Sequence, residues 1–382
     1  MRIIGTLVSL VVIGAVLLDA FEATVFPRRV THAYRFARFF YRTTWKVWRA
    51  CGSRLLSGRR RESFLSAFGP LSLLILFACW VIGLIFGFAL LHESLGTVLH
   101  LPDGEQPTFA IYLYFSGTTF LPLGYGDITP AGFARFLAVI ESGLGCFFLA
   151  IIISYLPVLF EAFSRRETTI SLLDARAGSP PSAFEFLRRH ALAGDIAHVG
   201  PLLSEWERWA AEVLQSQLSF PVLSYYRSQH DNQSWIAALT AILDICAILI
   251  AGVKKAPRFQ AQTTFAMARH VAVDMALVFQ TPPLAPDPER LPCERFNEMQ
   301  KTLEAAGIEF AEEAVCEGRL LELREMYEPF VNAIAQFLAF SLPPVVPDKP
   351  AVDNWQTSAW TRRTPGIGGL PTPAGAEDDH FD

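Results

Sequence analysis

The stretch Gly124-Tyr125-Gly126-Asp127 decides how the rest of the chain is interpreted. It lies between two apolar runs, residues 64–91 and 136–160, each long enough to cross roughly 30 Å of hydrocarbon as a helix. Glycine adopts backbone conformations that other residues reach only at a steric cost, so two glycines around a tyrosine permit an unusual backbone. The tetrapeptide alone is a weak signal, and its position between membrane-length segments makes it a strong one.

The composition indicates a chain that lies partly in lipid. Hydrophobic residues make up 52% of the 382 positions, which is high for a soluble protein. The formal net charge of −5 gives no reason to expect nucleic acid as a partner. The six cysteines are scattered and form no CxxC pair, which predicts mostly buried, reduced thiols rather than a disulfide framework or a zinc site.

The distribution of charge predicts the direction of each membrane segment. A third apolar run, residues 3–18, precedes a strongly basic loop, and Arg165 and Arg166 follow the last run, whereas the loop with the glycines is acidic. Short basic loops stay in the cytoplasm. We therefore expect an N-terminus outside the plasma membrane, a retained anchor helix over residues 1–27 rather than a cleaved signal peptide, and a cytoplasmic C-terminal half. The acidic residues of the glycine loop are Glu93, Asp103, Glu105 and Asp127, and the basic loop carries Arg28, Arg29, Arg35, Arg38, Arg42, Lys46, Arg49, Arg54, Arg59, Arg60 and Arg61.

Residues 28–62 are predicted to form an amphipathic segment at the membrane interface. Cationic side chains recur there at three- and four-residue steps, and apolar side chains follow the same period on another face. We expect contact with anionic lipids and place the aromatic side chains in the headgroup layer. The alternative is a basic flank that only fixes topology. The cationic face has Arg35, Arg38, Arg42, Lys46 and Arg49, the apolar face has Phe36, Phe40, Thr44, Val47 and Cys51, and the aromatic residues are Tyr34, Tyr41, Trp45 and Trp48.

Residues 108–121 form a short apolar stretch directly before the glycines. It is too short to span a membrane, so the chain must return as extended backbone, which lipid tolerates only around a polar cavity. Together with Ser116-Gly117-Thr118-Thr119-Phe120-Leu121-Pro122-Leu123-Gly124-Tyr125-Gly126-Asp127-Ile128-Thr129-Pro130, this region resembles the two-transmembrane pore domain of potassium channels. The resemblance implies a pore domain over residues 63–163, with an outer helix at 64–91, a pore helix at 108–121, a filter at 122–127 and an inner helix at 134–160.

The resemblance assigns roles to residues of the filter. The backbone carbonyls of Pro122, Leu123, Gly124, Tyr125 and Gly126 would replace the hydration shell of permeating K⁺. The ring of Tyr125 would brace the filter against neighbouring pore helices. One chain supplies one filter strand and a closed ring needs four, so the resemblance implies a homotetramer. Support of the filter is assigned to Thr118, Thr119, Asp127 and Glu141, with Asp127 at the outer mouth.

The filter departs from the family pattern at two positions. The family usually has threonine two residues before the first glycine, whereas this chain has Pro122, which keeps the carbonyl, lacks the hydroxyl and fixes φ near roughly −65°. Leu123 stands where valine is usual, which is a milder change. Both differences concern the selectivity for potassium over sodium more than the conduction of cations.

The inner helix contains three residues of interest. Glu141 is the one carboxylate in the apolar run 136–160, and a carboxylate inside a membrane is a functional candidate that we expect to brace the filter from behind. Gly143 and Gly145 are candidates for a gating hinge or, alternatively, for close helix packing. In the first helix, Asp19 and Glu22 lie on one face and are expected to face arginines of the basic loop.

The C-terminal half, residues 164–342, is predicted to be an all-α cytoplasmic domain. Residues 235–253 are apolar enough to resemble a fourth span, but Asp244 lies at their centre, so we predict a buried bundle helix. Pro329 interrupts a helical pattern and predicts either a kink or two helices. Residues 225–232 are expected to be a loop with Asn232 or Ser234 capping the next helix rather than a ligand site, and residues 343–382 to be a disordered tail.

The sequence therefore predicts an all-α membrane protein that forms a homotetrameric, potassium-selective cation channel. We expect no enzyme, no cofactor and no metal site apart from the permeating cation, because the chain has neither a nucleophile-base constellation nor a Gly-x-Gly-x-x-Gly nucleotide motif. The alternative is a membrane-anchored sensor or scaffold whose pore domain does not conduct.

Overall fold

The computed structural model describes residues 2–24, 36–102, 106–194, 196–228, 233–311 and 313–348. These residues are mostly helical, which confirms the predicted fold class. The chain divides into two compact units. Unit 1 comprises Met1–Ala162 and Leu218–Tyr226, and unit 2 comprises Phe163–Gln217 and Arg227–Asp382. The predictions that fall outside the described residues concern Arg28, Arg29, Tyr34, Arg35, Asp103, Glu105, residues 229–232 and residues 349–382.

Unit 1 begins with the helices α1 (Arg2–Thr24), α2 (Phe36–Leu55), α3 (Gly58–Ser66) and α4 (Phe68–Leu95). Helix α1 packs along α4, where two glycines of α4 let the helices approach closely. A Cβ atom at Gly87 would lie 2.7 Å from Cγ1 of Ile13, and one at Gly83 would lie 3.1 Å from Cγ2 of Val16. Small residues are the usual means of close helix packing in lipid, so α1 is built as a partner of α4.

Asp19 ties α1 to its neighbours through groups other than the expected arginines. Its Oδ2 accepts a hydrogen bond from the indole nitrogen of Trp80 at 2.8 Å, and its Oδ1 accepts one from the backbone nitrogen of Ala37 at 3.2 Å. The second contact lies at the start of α2, where backbone N–H groups have no partner inside the helix. Asp19 therefore fixes both the α4 contact and the beginning of α2.

The aromatic residues of α2 pack against other aromatic residues of unit 1. Trp45 is only 2% exposed and packs against Phe68 and Tyr225 at ring distances of 4.9 and 5.4 Å. Tyr41 stacks on the same Tyr225 at 6.0 Å. Trp48 stacks on Phe64 at 4.3 Å. The sequence did not indicate this packing, because Tyr225, the partner of Tyr41 and Trp45, comes much later in the chain. The placement of these residues in the headgroup layer stays a prediction.

The buried face of α2 is also shifted from the predicted apolar face. Ala37, Phe40, Tyr41, Trp45 and Gly52 are buried. Phe36, Val47 and Cys51, which belong to the predicted apolar face of the interfacial helix, are exposed. The helix therefore presents apolar and cationic side chains together on its free surface, including Arg38, Lys46 and Arg49.

The rest of unit 1 forms around a short loop. The elements are β1 (Leu99–His100), α5 (Phe109–Phe120), β2 (Thr129–Pro130) and the part of α6 (Phe133–Ala177) up to Ala162, and β1 pairs with β2 in antiparallel fashion. The predicted outer helix, 64–91, differs from α4 because residues 64–66 belong to α3 and α4 continues to Leu95. The predicted inner helix, 134–160, ends before α6 does, because a helix continues beyond the apolar part of its sequence.

The segment Leu218–Tyr226 completes unit 1 with a 3₁₀ turn, Pro221–Tyr225. Phe220 packs edge-on against Tyr155 of α6 at 5.2 Å, and Tyr225 packs against Phe68 of α4 at 5.2 Å. A Cβ atom at Gly69 would lie 2.6 Å from the ring of Tyr226, so this glycine makes room for the tyrosine. The segment thus supplies three aromatic side chains to the core of unit 1.

Unit 2 is a helical bundle. Its helices are α7 (Ala183–Leu192), α8 (Gly200–Ser219), α9 (Trp235–Gly252), α10 (Arg258–Phe279), α11 (Cys293–Ala305), α12 (Glu313–Glu325) and α13 (Glu328–Leu338). Helix α9 lies at the centre and packs against α7, α10, α12 and α13. Its first turn is capped by Ser234, whose Oγ accepts a hydrogen bond from the nitrogen of Ala237, as the sequence predicted. Pro329 starts α13, so the interrupted pattern corresponds to two helices.

Burial distinguishes α9 from the helices that suit a membrane. Among the described residues, four helical segments are long and apolar enough to cross one. In α9, 94% of the most apolar stretch is buried inside the protein, whereas the corresponding values for α1, α3–α4 and α6 are 17%, 44% and 22%. Helix α9 is therefore the core of unit 2, which confirms the prediction, and the other three have surfaces open to lipid.

Two further predictions need correction. Residues 343–348 were assigned to the disordered tail, but Val345 is 1% exposed and its carbonyl accepts a hydrogen bond from Phe184 at 3.2 Å. The thiols were expected to be mostly buried, but Cys51, Cys146 and Cys293 are exposed. A sequence does not show which face of an amphipathic helix becomes covered.

Candidate functional site

The loop with the glycines starts where α5 ends. The N–H of Leu121 donates to the carbonyl of Gly117 at 3.1 Å, and the N–H of Leu123 donates to that of Thr118 at 2.9 Å. Pro122 lies between them and has no N–H to donate. After Leu123 the chain is irregular up to β2. The pore helix and the filter strand predicted from the sequence thus correspond to α5 and to the stretch that follows it.

Both glycines of the motif adopt left-handed backbone conformations. The φ angles are +61° at Gly124 and +76° at Gly126. Nothing lies within 4 Å of a Cβ atom built at either position, so a side chain would fit. The positive φ angle, and not a lack of space, is the reason for glycine at both positions. This is the backbone argument from which the sequence interpretation started.

The side chains of the loop face away from the rest of their own chain. Leu123 is 53% exposed and Tyr125 is 69% exposed, both large hydrophobic groups. Asp127 has a partner that the sequence did not suggest, because the hydroxyl of Tyr114 on α5 donates to its Oδ2 at 2.9 Å. The Oδ1 atom of Asp127 accepts from the backbone nitrogen of Ile128 at 3.1 Å. The carboxylate therefore ties the end of the loop to α5.

A short antiparallel strand pair fixes the exit of the loop. Leu99 pairs with Pro130 and His100 pairs with Thr129. The N–H of Ala131 adds a hydrogen bond to the carbonyl of Val98 at 2.9 Å. The chain leaving the loop is thereby attached to the segment just after α4, and the loop is held at both of its ends.

Behind α5 lies a fully buried polar cluster, which we call the Glu141 cluster and which consists of His92, Thr97, Ser116 and Glu141. The hydroxyl of Ser116 on α5 contacts both the carboxylate Oε1 of Glu141 on α6 and the carbonyl of Ile85 on α4, the latter at 3.0 Å. Nε2 of His92 lies 3.5 Å from Oε2 of Glu141. His92, Ser116 and Glu141 are each 0% exposed. One cluster therefore joins α4, α5 and α6.

The imidazole of His92 is held from several sides. Its Nδ1 lies 2.9 Å from the hydroxyl oxygen of Thr97, which in turn donates to the carbonyl of His92 at 3.2 Å. Phe115 meets the ring edge-on at 5.4 Å, and the ring of Tyr112 is nearly parallel to it at 6.4 Å. The hydroxyl of Tyr112 donates to the carbonyl of Thr97 at 2.9 Å. The ring thus has little freedom to turn.

The other predicted support residues have different surroundings. Thr118 donates its hydroxyl to the carbonyl of Phe115 within α5. Gly145 packs directly against the end of α5, since a Cβ atom there would lie 1.8 Å from the carbonyl oxygen of Phe120. Gly143 has open space around it. Close packing therefore accounts for Gly145, and the hinge prediction stays untested for both glycines.

Sequence reasoning found Glu141 but missed its partner His92. The one available signal was a histidine in the last turn of the outer apolar helix, just beyond the predicted end at residue 91. Within the described ranges, no group of three or more His, Cys, Asp or Glu side chains could hold a metal ion.

Comparison with known proteins supports a channel. Residues 72–162 match the ion-channel family model, which confirms the predicted resemblance over the segment with the loop and the Glu141 cluster. Together with the apolar helices, this match shows a membrane protein with an ion-channel domain. It also favours a protein that is not an enzyme, although enzymatic activity is untested.

The chain is similar in sequence to proteins of Bacillus species. The chain is 24% identical to "Uncharacterized membrane protein YdjJ" of Bacillus subtilis (strain 168) over 52% of this chain and 57% of that protein. It is 32% identical to "Protein LctB" of Bacillus caldotenax over 20% of this chain and 63% of that protein. The chain thus spans about 60% of the length of these curated relatives. No solved structure matches the chain.

Proposed function

We propose that four copies of this chain form a cation channel that prefers K⁺ and conducts through the backbone carbonyls of residues 122–126. The observation that carries the proposal is the pair of left-handed glycines, Gly124 and Gly126, directly after a helix too short to span a membrane. Such a backbone turns successive carbonyl oxygens toward one side, where they replace water around a cation. The match to the ion-channel family supports the same function.

Assembly of four copies explains the exposed side chains of the loop. Leu123 and Tyr125 are more than half exposed in a single chain, although both are large and hydrophobic. In a tetramer their neighbours are supplied by adjacent copies, and the ring of Tyr125 braces the filter. Sizing of the purified protein in lipid nanodiscs tests this proposal, and a monomer contradicts it.

The test of conduction is ion flux into liposomes that contain the purified protein. We expect K⁺ flux and a reversal potential in mixed K⁺ and Na⁺ that favours K⁺. Gly126→Ser should abolish flux, because it places a side chain at a φ of +76° in the filter. Gly132→Ser is the matched control, since Gly132 has a φ of +56° and open space but lies beyond β2.

The absence of flux from a well-folded wild-type tetramer would contradict conduction and favour the sensor or scaffold function. Equal permeation of K⁺ and Na⁺ would contradict only the selectivity. Pro122→Thr then identifies the cause, because it restores the hydroxyl at the inner end of the filter and should shift the reversal potential toward that of K⁺.

We also propose that unit 2 and the basic segment lie in the cytoplasm of cells that carry the protein in the plasma membrane. Cys51 on α2 and Cys293 on α11 are both exposed and are suitable probes. A membrane-impermeant maleimide should label single-cysteine variants at these positions only after the cells are permeabilised. Labelling of intact cells contradicts this topology.

Anionic lipids are the proposed partner of the basic segment. Arg38, Lys46 and Arg49 are exposed on α2 beside exposed Phe39 and Val47, which is the mixed surface of an interfacial helix. Replacing the three cations by glutamine should reduce retention of anionic lipid by the purified protein. Unchanged retention contradicts this partnership.

A further inference from the structure

The Glu141 cluster constrains where protons lie. The hydroxyl oxygen of Thr97 lies within hydrogen-bond distance of both the carbonyl and the Nδ1 atom of His92, but the hydroxyl has only one proton to donate. Both contacts are hydrogen bonds only if Thr97 donates to the carbonyl and Nδ1–H donates to Thr97. This assignment uses the one N–H of a neutral imidazole, so Nε2 of His92 then has a lone pair.

That lone pair faces the carboxylate of Glu141. The Nε2 and Oε2 atoms are 3.5 Å apart, and neither has another hydrogen-bond partner. A lone pair against an ionised carboxylate in a fully buried site is repulsive and leaves two polar atoms without a partner. One additional proton between Nε2 and Oε2 removes both problems, whichever of the two atoms holds it.

The same carboxylate positions the helix that leads into the filter. Oε1 of Glu141 contacts the hydroxyl of Ser116, six residues before Pro122. Ser116 also lies within hydrogen-bond distance of the carbonyl of Ile85 on α4, and its one proton is donated either to that carbonyl or to Glu141. Movement of Glu141 therefore acts on α5 through Ser116. This contact is the direct hydrogen bond between Glu141 and α5, whereas His92 meets α5 through ring contacts with Phe115 and Tyr112.

We propose that His92 is a positioning residue of the filter, which acts through one proton shared with Glu141 and through Ser116. With the proton present, the cluster is closed and α5 is held in the conducting position. Loss of the proton at high pH makes Nε2 and Oε2 repel each other, and α5 is released. The proposal rests on conduction through the loop, and it predicts that K⁺ flux falls as pH rises.

Other charged or titratable groups lie around the cluster on the elements that pack against it. Tyr112 on α5 faces the imidazole, and Glu93 on α4 and Arg2 on α1 lie near Tyr112. His100 on β1 is exposed, and Arg135 on α6 donates to the carbonyl of Pro130 away from the cluster. None of these groups contacts Nε2 of His92 or Oε2 of Glu141, so the shared proton belongs to that pair.

The experiment compares K⁺ flux in liposomes from about pH 5 to 8. Wild type should lose flux several-fold as pH rises. His92→Gln and Glu141→Gln should conduct with a flat pH profile, because each amide supplies a fixed N–H between the two side chains. Ser116→Ala should lower flux at low pH to the level that wild type reaches at high pH, because it breaks the link to α5. His100→Gln is the matched control and should keep the wild-type profile.

Wild-type flux that is constant with pH, or a His92→Gln variant that keeps the wild-type profile, overturns the inference while leaving the channel function intact. A wild type that conducts at no pH contradicts the proposed function instead. For that case, and for variants that do not assemble, nitrogen NMR of ¹⁵N-histidine protein is the second measurement. The His92 signal should change with pH in wild type and not in Glu141→Gln, and an invariant wild-type signal also overturns the inference.

Discussion

The two units contain buried polar clusters that are built in opposite ways. In unit 2, Asp244 on α9 accepts hydrogen bonds from both terminal nitrogens of Arg290, at 3.2 and 2.6 Å, and one from the hydroxyl of Tyr327. Arg290 also reaches Glu328, which is paired with Arg324 at 3.0 Å. In the Glu141 cluster of unit 1, a single imidazole at 3.5 Å is the one basic side chain in range of the carboxylate among the described residues.

The difference is one of role: the cluster in unit 2 stabilises the fold, whereas we propose that the Glu141 cluster in unit 1 responds to pH. In unit 2 the carboxylates of Asp244 and Glu328 each pair with a guanidinium, which favours their ionised form. Burial alone lowers the pKa of Arg290, but Asp244 and Glu328 outweigh burial and raise it, so the arginine stays charged. In unit 1 the two facing atoms lack a partner unless a proton lies between them. A partly satisfied buried cluster is expensive, which is typical of a functional site.

The largest expected effect is that of Arg290→Met. This change leaves the buried carboxylates of Asp244 and Glu328 without their shared partner, so the free energy of unfolding should fall by about 3–5 kcal/mol. Denaturant unfolding of the full chain, followed by circular dichroism, measures it. Arg295→Met is the matched control, because Arg295 on α11 pairs with Glu298 at the surface and should contribute less than about 1 kcal/mol. Equal losses in both variants contradict a special role for the buried cluster.

A second pair of variants compares the two carboxylates directly. Asp244→Asn should destabilise by about 2–3 kcal/mol, because it weakens charge-assisted hydrogen bonds from Arg290 and turns a donor toward other donors. Glu141→Gln should change stability by less than about 1 kcal/mol, because an amide still accepts from Ser116 and donates to His92. The same unfolding measurement serves both variants. Comparable losses would remove the contrast between the clusters.

Glu185 on α7 provides an intermediate case with a testable pH dependence. Burial raises the pKa of its carboxyl, but Arg188 and Arg189 outweigh burial and lower it below the usual 4.5. Its contribution is therefore fully present above pH 4.5 and is lost as pH falls through the lowered folded-state pKa. Glu185→Gln should cost about 1 kcal/mol at neutral pH and less in acid. The stability difference between wild type and Glu185→Gln should therefore become smaller from pH 6 to the lowest pH at which the protein stays folded. A difference that is constant over this range contradicts the linkage.

The smallest expected effect concerns single capping hydrogen bonds. Ser182 is 2% exposed, and its hydroxyl accepts from the nitrogen of Glu185 at the start of α7. Ser182→Ala should cost about 1 kcal/mol. Ser57 starts α3 without a side-chain capping bond, so Ser57→Ala should be nearly neutral. Thermal unfolding measures the loss of stability in both variants. Equal losses would contradict a stabilising role for the hydrogen bond that caps α7.

The sequence predicted those parts of the fold that depend on local composition. Apolar runs predicted the membrane-length helices, and Asp244 correctly marked α9 as a buried helix of unit 2. Helix ends were less accurate, because the apolar run that ends near residue 160 says nothing about how far a polar helix continues. The packing of Trp45 was not predictable, since its partner Tyr225 belongs to a distant part of the sequence.

The candidate site shows the same limit. Gly124 and Gly126 could be recognised because their requirement is a property of their own backbone. Glu141 could be suspected because a carboxylate is rare in an apolar helix. His92 could not be assigned, because its role exists only when α4, α5 and α6 pack together and bring Nε2 opposite Oε2. Tyr114 was missed for the same reason, since its contact with Asp127 depends on how the loop turns back toward α5.

The segment Leu218–Tyr226 has a practical consequence for anyone who wishes to isolate or transplant the pore. A polypeptide cut at Ala162, where the ion-channel match ends, would lack Phe220, Tyr225 and Tyr226, and Trp45 would lose one of its aromatic partners. Such a fragment would leave the aromatic contacts of Trp45, Phe68 and Tyr155 incomplete. The compact unit that contains the ion-channel match is thus discontinuous along the sequence.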